Sequence, residues 1–159
     1  MLKLNTRQFS KNELAFIIPL KEYFTTYFNG DIHGSIEDSG SFVRYEFFVG
    51  DQIKNNALVL QFKVKDQENI DEGNCNYVHI SNIVIPFDYR GQGIARAIVV
   101  LMSIVAHKQV GIELFITGIV NDRWKDNLLC LGGIEDDSGD IQIDHDVIDY
   151  KMRHGQLDW

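Results

Sequence analysis

The sequence has little cysteine and little proline, with two of each in 159 residues. Cys75 and Cys130 are too few for a disulfide framework, and neither stands at a metal-ligand spacing from any histidine. We therefore expect a reducing, cytoplasmic setting and no metal site. In the stretch NLLCLGG, Cys130 is expected to be a buried, hydrophobe-like residue, with a catalytic thiol as the alternative.

Long hydrophobic runs are also missing. The first sixteen residues lack the continuous apolar core of a signal peptide, so we do not expect export. The most apolar stretch, residues 94–106, is interrupted by Arg96 and Ser103 and is too short to span a bilayer. We expect no membrane association and one globular domain over residues 1–159.

Positive charge is scarce, because 15 Lys and Arg stand against 23 Asp and Glu, for a net charge of -8. Residues 135–149 contain seven of the acids and no Lys or Arg. This balance disfavours binding to nucleic acid and to acidic membranes. It favours a cationic partner or substrate, unless the acidic segment is only a solvated hairpin.

The first part of the chain predicts a helix followed by a hairpin. Ser10 and Glu13 have the capping-box spacing of a helix start, and the helix is expected to kink at Pro19 and stop at Gly30. Its aromatic residues are interpreted as core: Phe16, Tyr23, Phe24, Tyr27 and Phe28. Alternating apolar residues predict strands over 42–49 and 57–65, joined as a hairpin.

The middle of the chain predicts strand, glycine loop, helix and strand. The strands cover 77–85 and 112–120, and the helix between them covers about 93–108. This helix is apolar nearly all round, so we expect it to be sandwiched between other elements.

A short helix, begun by Asn121 and closed by Gly132, and two strands near 140–144 and 147–153 complete the prediction. The fold class is therefore mixed α and β (α+β).

The glycine loop between strand and helix is the strongest functional signal. Gly91 and Gly93 remove side chains where a strand gives way to a helix, so that backbone N–H groups and the helix dipole can meet an anion. A Walker loop would need Gly-Lys followed by Ser or Thr, which is absent. A dinucleotide loop would need glycine where Arg96 stands, and Glu113 begins its strand instead of ending it.

A third kind of phosphate loop fits the residues. Arg90, two residues of any type, Gly93, one of any type and Ala95 resemble the coenzyme A loop of the GNAT (GCN5-related N-acetyltransferase) superfamily. A second block is similar to that family, with an asparagine beginning a helix and a leucine-glycine pair ending it: Asn121, Leu131 and Gly132. Together these stretches cover about residues 77–135.

The resemblance implies the GNAT acyl-CoA N-acyltransferase fold, in which a central mixed, mostly antiparallel sheet is flanked by helices. It implies acetyl transfer from acetyl-CoA, by direct attack, to a primary amine of a cationic small molecule or of a protein lysine or N-terminus. Loop N–H groups would hold the pyrophosphate, strand backbone would pair with the pantetheine arm, and an N–H near Ile85 would polarise the thioester carbonyl. The implied cofactor-binding residues are Ile83, Val84, Ile85, Arg90, Gly91, Gln92, Gly93, Ile94, Ala95, Arg96 and Asn121.

The resemblance also points to His79 as the proton acceptor, because some members place a glutamate six residues ahead of the strand bulge. A packed structural histidine is the alternative. Many members carry a tyrosine proton donor where Leu128 stands, so this role has no occupant here. The nearby Asn127 and Cys130 are expected to point elsewhere on the helix.

Two other functions stay open at this stage. An acyl-CoA-binding sensor or interaction module would need the loop but no catalytic group, and a purely structural scaffold would not need the two glycines. The enzyme is preferred because the acidic segment is expected in the last hairpin, near the acceptor groove. Aromatic residues of the first helix, or Trp159, are candidates for a homodimer contact, with core packing and a loose tail as alternatives.

Overall fold

The computed structural model describes residues 9, 11–28, 32–39, 42–50, 57–65, 77–119 and 121–157. The helices are α1 Lys11–Tyr27, α2 Ile94–Val105, α3 Asp122–Cys130 and α4 His145–Arg153. The strands are β1 Ile32–Asp38, β2 Val43–Val49, β3 Ala57–Lys65, β4 Tyr77–Ile83, β5 Leu114–Ile116, β6 Gly133–Glu135 and β7 Ile141–Ile143. A 3-10 turn covers Phe87–Tyr89, and α2 continues as a π-helical turn over Ala106–Val110.

The seven described strands form one sheet in the order β1-β2-β3-β4-β5-β7-β6. All neighbouring strands are antiparallel except β4 and β5, which are parallel. The predicted fold class, a mixed and mostly antiparallel sheet flanked by helices, is confirmed. The predicted order of strand, glycine loop, helix and strand is present as β4, the loop at Gly91, α2 and β5.

The core lies between this sheet and the helices α1 and α2. In α1, Phe16, Leu20 and Phe24 recur every four residues and are fully buried, and the ring of Phe24 lies 5.2 Å from that of Phe47 in β2. The core interpretation of the α1 aromatics is confirmed for Phe16, Phe24 and Phe28, whereas Tyr27 is 44% exposed. The predicted helix cap at Ser10 and stop at Gly30 lie outside the described residues.

Helix α2 is enclosed as its composition predicts. Ile98, Val99 and Met102 are fully buried, and the helix contacts α1 and α4. Pro19 lies inside α1, which continues through it to Tyr27. Among the described residues, no helix combines the length and apolar character needed to cross a membrane.

The prediction of a strand over 147–153 is wrong, because this segment belongs to α4. The carboxylate of Asp144 accepts hydrogen bonds from the backbone N–H groups of Asp146 and Val147, which caps the helix. Arg153 and Asp149 pair at 2.9 Å one helical turn apart. The strands β1 and β6 were not predicted, and β5 covers three residues of the predicted nine.

Cys130 is exposed at the end of α3, so its predicted burial is wrong. The neighbouring Leu128 and Leu131 are fully buried and occupy the core side of this helix end. Because successive residues on a helix point in different directions, Cys130 is left on the solvent side.

Gly133 seats α3 on the sheet, which gives a test of the packing. A Cβ at this residue would lie 2.5 Å from Ile141 Cγ2 and 2.7 Å from the backbone oxygen of Leu128. We expect Gly133→Ala to lower the free energy of unfolding by about 1–3 kcal/mol, the range for overpacking, as measured by urea denaturation. The control is Gly139→Ala, where the Cβ meets no atom within 4 Å and only the left-handed backbone costs about 1 kcal/mol. A loss at Gly133 no larger than the control's would contradict this account.

Candidate functional site

A cleft opens where the parallel strands β4 and β5 separate. They pair only from Val78 to Ile80, and the N–H of Thr117 donates to the carbonyl of Ile80 at 2.9 Å. Beyond this bond lies a cavity of about 410 Å³. Its wall includes the last residues of β4, the residues after β5 and the first turns of α3.

The backbone of β4 turns one of its edges toward this cleft. Gln61 pairs with Asn82 but Phe62 pairs with Ile80, so Ser81 is an extra residue in a β-bulge. The family resemblance implied a bulge at Ile83–Ile85, so the observed bulge lies earlier in the strand. The N–H of Val84 donates to the carbonyl of Val59 in β3 at 2.9 Å. Because backbone groups alternate between the two edges of a strand, the N–H and C=O of Ile83 face the cleft.

The glycine loop forms a second cavity of about 590 Å³ that adjoins the first. Both cavities are lined by Ile85, Arg90, Ala95, Arg123 and Asn127. All of the predicted cofactor-binding residues line one or both: Ile83, Val84, Ile85, Arg90, Gly91, Gln92, Gly93, Ile94, Ala95, Arg96 and Asn121. The structure thus brings together the whole of the predicted cofactor set.

The loop needs glycine because its backbone is left-handed. Gly91 has φ +78°, and Gly93, which precedes the first residue of α2, has φ +73°. No side chain caps α2, so its first N–H groups are not used by a capping residue. A Cβ at Gly91 would point into open space, and one at Gly93 would lie 3.2 Å from Arg96 Nη2. The loop therefore combines bare backbone with the positive end of a helix dipole.

Three arginines surround the loop in this acidic protein. Arg90 Nε donates to the carbonyl of Ile85 at 2.9 Å and ties the loop to the end of β4. Arg96 Nη1 donates to the carbonyl of Leu157 at 3.0 Å. Arg123, which the sequence did not single out, is exposed at the start of α3 and makes neither a hydrogen bond nor an ion pair within the described residues. Three guanidinium groups give this cavity a local positive charge.

Helix α3 forms the wall opposite β4. Asn121 begins it as predicted, and its Oδ1 accepts a hydrogen bond from the N–H of Trp124 at 3.0 Å. Arg123 and Asn127 lie four residues apart and line both cavities, so the expectation that Asn127 points elsewhere is wrong. Leu128, which has no proton to donate, is fully buried.

His79 lies beside the cleft rather than in its lining. Its ring is half-buried, 4.4 Å from the ring of Tyr77 and 5.3 Å from that of Phe115. Burial lowers the pKa of His79, the negative charge of Asp140 opposes this shift, and the positive charge of Lys63 adds to it. Within the described residues the imidazole makes ring contacts but no hydrogen bond.

The acidic segment is divided between two elements, so its expected place within a hairpin holds only for its first half. Residues 135–140 belong to the β6–β7 hairpin, and Asp144, Asp146 and Asp149 belong to the start and body of α4. Most of these carboxylates have a structural partner. Asp136 accepts hydrogen bonds from Ser138 and from the N–H of Asp140, which lowers its pKa. Glu135 pairs with Lys125 at 2.6 Å.

Comparison with known proteins gives likeness of shape alone. No protein-family model and no curated protein matches the chain. Among solved structures, it is similar to a chain of the KacTA–DNA complex, with 18% identity over 96% of this chain and 92% of that chain and a TM-score of 0.48. It is similar to a mutant AtaT toxin bound to the C-terminus of the antitoxin AtaR and acetyl-CoA, with 14% identity, 95% and 92% coverage and a TM-score of 0.47. It is also similar to AtaTR bound with acetyl-CoA, with 15% identity over 94% of this chain and 91% of that chain and a TM-score of 0.47.

Likeness at this level carries no inference about activity, acceptor or partners. What supports a function is the geometry of the cleft and of the glycine loop, together with the resemblance of the loop residues to the GNAT superfamily. That resemblance agrees with the fold, since the strand, loop, helix and strand that carry it form one unit at the centre of the sheet.

The environment of His79 predicts how it titrates. We expect the NMR titration midpoint of its imidazole to lie below the usual value of about 6.5, because burial favours the neutral ring. Asp140→Asn should lower the midpoint further and Lys63→Met should raise it. A folded-state pKa below the unfolded one contributes stability that is full above about pH 6.5 and is lost as the pH falls through the folded pKa. His79→Gln should reduce that loss, and a midpoint above 6.5 in the wild type would contradict the assignment.

Proposed function

We propose that this protein is an N-acetyltransferase that moves the acetyl group of acetyl-CoA to a primary amine of a cationic acceptor. The single observation that carries the proposal is that two adjoining cavities share five lining residues. A bare-backbone loop with three arginines adjoins a cleft between two parting strands. A diphosphate and the long thiol arm attached to it need these two environments side by side.

The residues of the loop fit the phosphate end of acetyl-CoA. The space that a Cβ at Gly91 would fill is open, and the uncapped N–H groups at the start of α2 point toward the same cavity. Arg96 and Arg123 would add positive charge, while Arg90 holds the carbonyl of Ile85. Such a loop would bind phosphate mainly through backbone N–H groups, which glycine leaves uncovered.

The residues of the cleft fit the thiol arm. The N–H and C=O of Ile83 face the cleft, and Ile85 lines both cavities. Amide groups along the arm would pair with this edge as an additional strand does, and the N–H of Ile85 would polarise the acyl carbonyl. On the opposite wall, Asn121 and Asn127 of α3 limit the width of the cleft.

Acetyl-CoA would supply the thioester: the amine nitrogen would form a bond to the acyl carbon, the carbon–sulfur bond would break with its electron pair going to sulfur, and the nitrogen would lose a second proton to water as the amide forms. The chain's own residues would manage the protons. A primary amine with a pKa near 10 is mostly protonated at neutral pH, so it must lose a proton before it attacks. His79, whose pKa is lowered by burial, would accept that proton through water because it lies beside the cleft.

The leaving thiolate would be stabilised by groups other than a tyrosine. Leu128 is buried, and no tyrosine belongs to the lining of the 410 Å³ cleft within the described residues. The lining does contain the hydroxyl of Thr117 and the amide of Asn127, whereas the hydroxyl of Ser81 donates to the carbonyl of Gln61 at 3.4 Å. These groups donate hydrogen bonds, and CoA has a thiol acidic enough to leave as a thiolate and take its proton from water.

A second candidate function is an acyl-CoA-binding sensor without turnover. It is favoured by one observation, the burial of Leu128 where a proton donor would stand. Thiol release separates the two functions, measured with acetyl-CoA and a panel of primary amines that includes diamines, lysine and basic peptides. Binding without thiol release from any acceptor would establish the sensor and exclude the transferase.

Substitution of the loop glycines tests the binding step on which both functions depend. We expect Gly91→Val and Gly93→Val together to weaken CoA binding by at least about tenfold, since each side chain would occupy anion space and strain a left-handed backbone. The measurement is isothermal titration calorimetry. Gly111→Val is the matched control, because Gly111 has φ +74° and open space around it but lies at the other end of α2. Unchanged affinity in the double variant would exclude the phosphate loop.

Arg123 provides a second test of the phosphate cavity. We expect Arg123→Gln to weaken CoA binding by about fivefold, because an exposed arginine contributes roughly 1 kcal/mol to a charge-assisted contact. Added salt should reduce the difference between wild type and variant. Arg153→Gln removes the same charge from α4 and should leave the affinity as it is. An Arg123 variant with wild-type affinity would place this residue outside the phosphate site.

A further inference from the structure

The strands beside the cleft present a polar face on the side opposite the core. In β5 and β7, Leu114, Ile116, Ile141 and Ile143 are buried, so the residues between them point to the other face. The pairing registers place His79 opposite Phe115, and Phe115 opposite Gln142. These three residues form one row across β4, β5 and β7.

The next row lies at the mouth of the cleft. Thr117 follows Phe115 by two residues and therefore points to the same side of the sheet. It lines the cleft. Two residues back from Gln142 on the antiparallel strand is Asp140, again on the same face. Its backbone is fixed, since its carbonyl accepts from the N–H of Asp136 at 2.9 Å and its N–H donates to Asp136 Oδ1 at 3.1 Å. Asp140 therefore stands beside the cleft mouth on the side of His79.

The carboxylate of Asp140 combines partial burial with the lack of a structural partner among the described residues, whereas Asp137 and Asp146, which also lack one, are exposed. Within the described residues it makes neither a hydrogen bond nor an ion pair, although it is half-buried. By contrast, Glu135 pairs with Lys125, Asp136 closes the hairpin turn and Asp144 caps α4. The field of Asp140 nevertheless reaches the imidazole of His79.

The charge on the other side of His79 has the opposite sign. Lys63 is the β3 partner of His79, and its Nζ lies 4.8 Å from the centre of the Phe42 ring. Lys63 on the β3 side and Asp140 on the β7 side thus place a charge gradient across the cleft mouth. A cation that approaches the mouth is repelled from β3 and attracted toward β7.

We propose that Asp140 is a specificity-determining residue that binds a second cationic group on the acceptor, next to the amine that is acetylated. This inference rests on the proposed function and narrows its substrate class to primary amines that carry a second positive charge. Adjacent strands are about 4.8 Å apart, so the nitrogen that is acetylated and the nitrogen bound by Asp140 would be separated by about 5–10 Å. A linear diamine of four or five carbons has this reach.

The experiment compares two acceptors of equal chain length, 1,5-diaminopentane and n-pentylamine. The readout is the ratio of their kcat/KM values in thiol release from acetyl-CoA, at one fixed pH. A ratio cancels any effect that loss of the Asp140 charge has on His79, because both acceptors use the same proton acceptor. The wild-type protein should prefer the diamine, and added salt should reduce that preference.

Asp140→Asn should lower the preference for the diamine by about tenfold, mainly through the KM of the diamine, since a charge-assisted contact is lost. Asp137→Asn is the matched control. Asp137 is an exposed residue of the same hairpin turn and is not among the charges that shift the pKa of His79. This variant loses the same charge and should keep the preference. Equal thermal unfolding midpoints would show that both variants fold.

The inference is overturned if Asp140→Asn leaves the ratio unchanged, or if Asp137→Asn lowers it equally, because the effect would then belong to the general field of the hairpin. Failure of the proposed function looks different, since no amine would then release thiol. In that case binding of 1,5-diaminopentane to the CoA-loaded protein, measured by calorimetry, decides the role of Asp140. Weaker binding in Asp140→Asn than in Asp137→Asn would support it, and equal binding would overturn it.

Discussion

The end of pairing between β4 and β5 is the constraint on which the rest of the site depends. The last hydrogen bond between the two parallel strands runs from the N–H of Thr117 to the carbonyl oxygen of Ile80, with a nitrogen–oxygen distance of 2.9 Å. The backbone then turns at Gly118, which has φ +67°. A sheet that kept pairing would satisfy the backbone of Ile83 within the protein and leave no room for a ligand. Because the strands part, the same edge of β4 stays available, and the first turns of α3 come to face the loop before α2.

The overall charge of the chain hides a local separation of charge. The net charge is -8, yet Arg90, Arg96 and Arg123 gather around the loop at the positive end of the α2 dipole. The carboxylate of Asp140 lies on the face of the sheet that carries His79, and its charge reaches the imidazole. A ligand with an anionic end would thus enter the cleft from the glycine loop, and a cationic acceptor would approach from the side of Asp140.

Features encoded in short stretches could be predicted from the sequence, and features produced by pairing between distant stretches could not. Gly91, Gly93 and Asn121 carry their own backbone or capping chemistry, so their roles were visible. The bulge at Ser81 could not be predicted, because it arises from a register shift against β3 and the serine itself gives no local sign of it. The places of Arg123 and Asn127 in the lining could not be predicted either, because they depend on the parting of the strands, which sets α3 against the cleft. In α4, alternation suggested a strand, but the cap at Asp144 and the pair Asp149–Arg153 favour the helix.

In the proposed acetyl transfer, the burial of Leu128 would shift the demands of catalysis to the acceptor side. Within the described residues no tyrosine lines the 410 Å³ cleft, so departure of the thiolate would depend on hydrogen bonds from neutral groups such as Asn127. The attacking amine must then be unprotonated and well placed, since positioning is the largest contribution that the remaining residues can make. A histidine with a lowered pKa meets the first need, because at neutral pH its ring is neutral and able to accept a proton. An unpaired carboxylate in the adjacent row would meet the second, because it would hold a cationic acceptor in place.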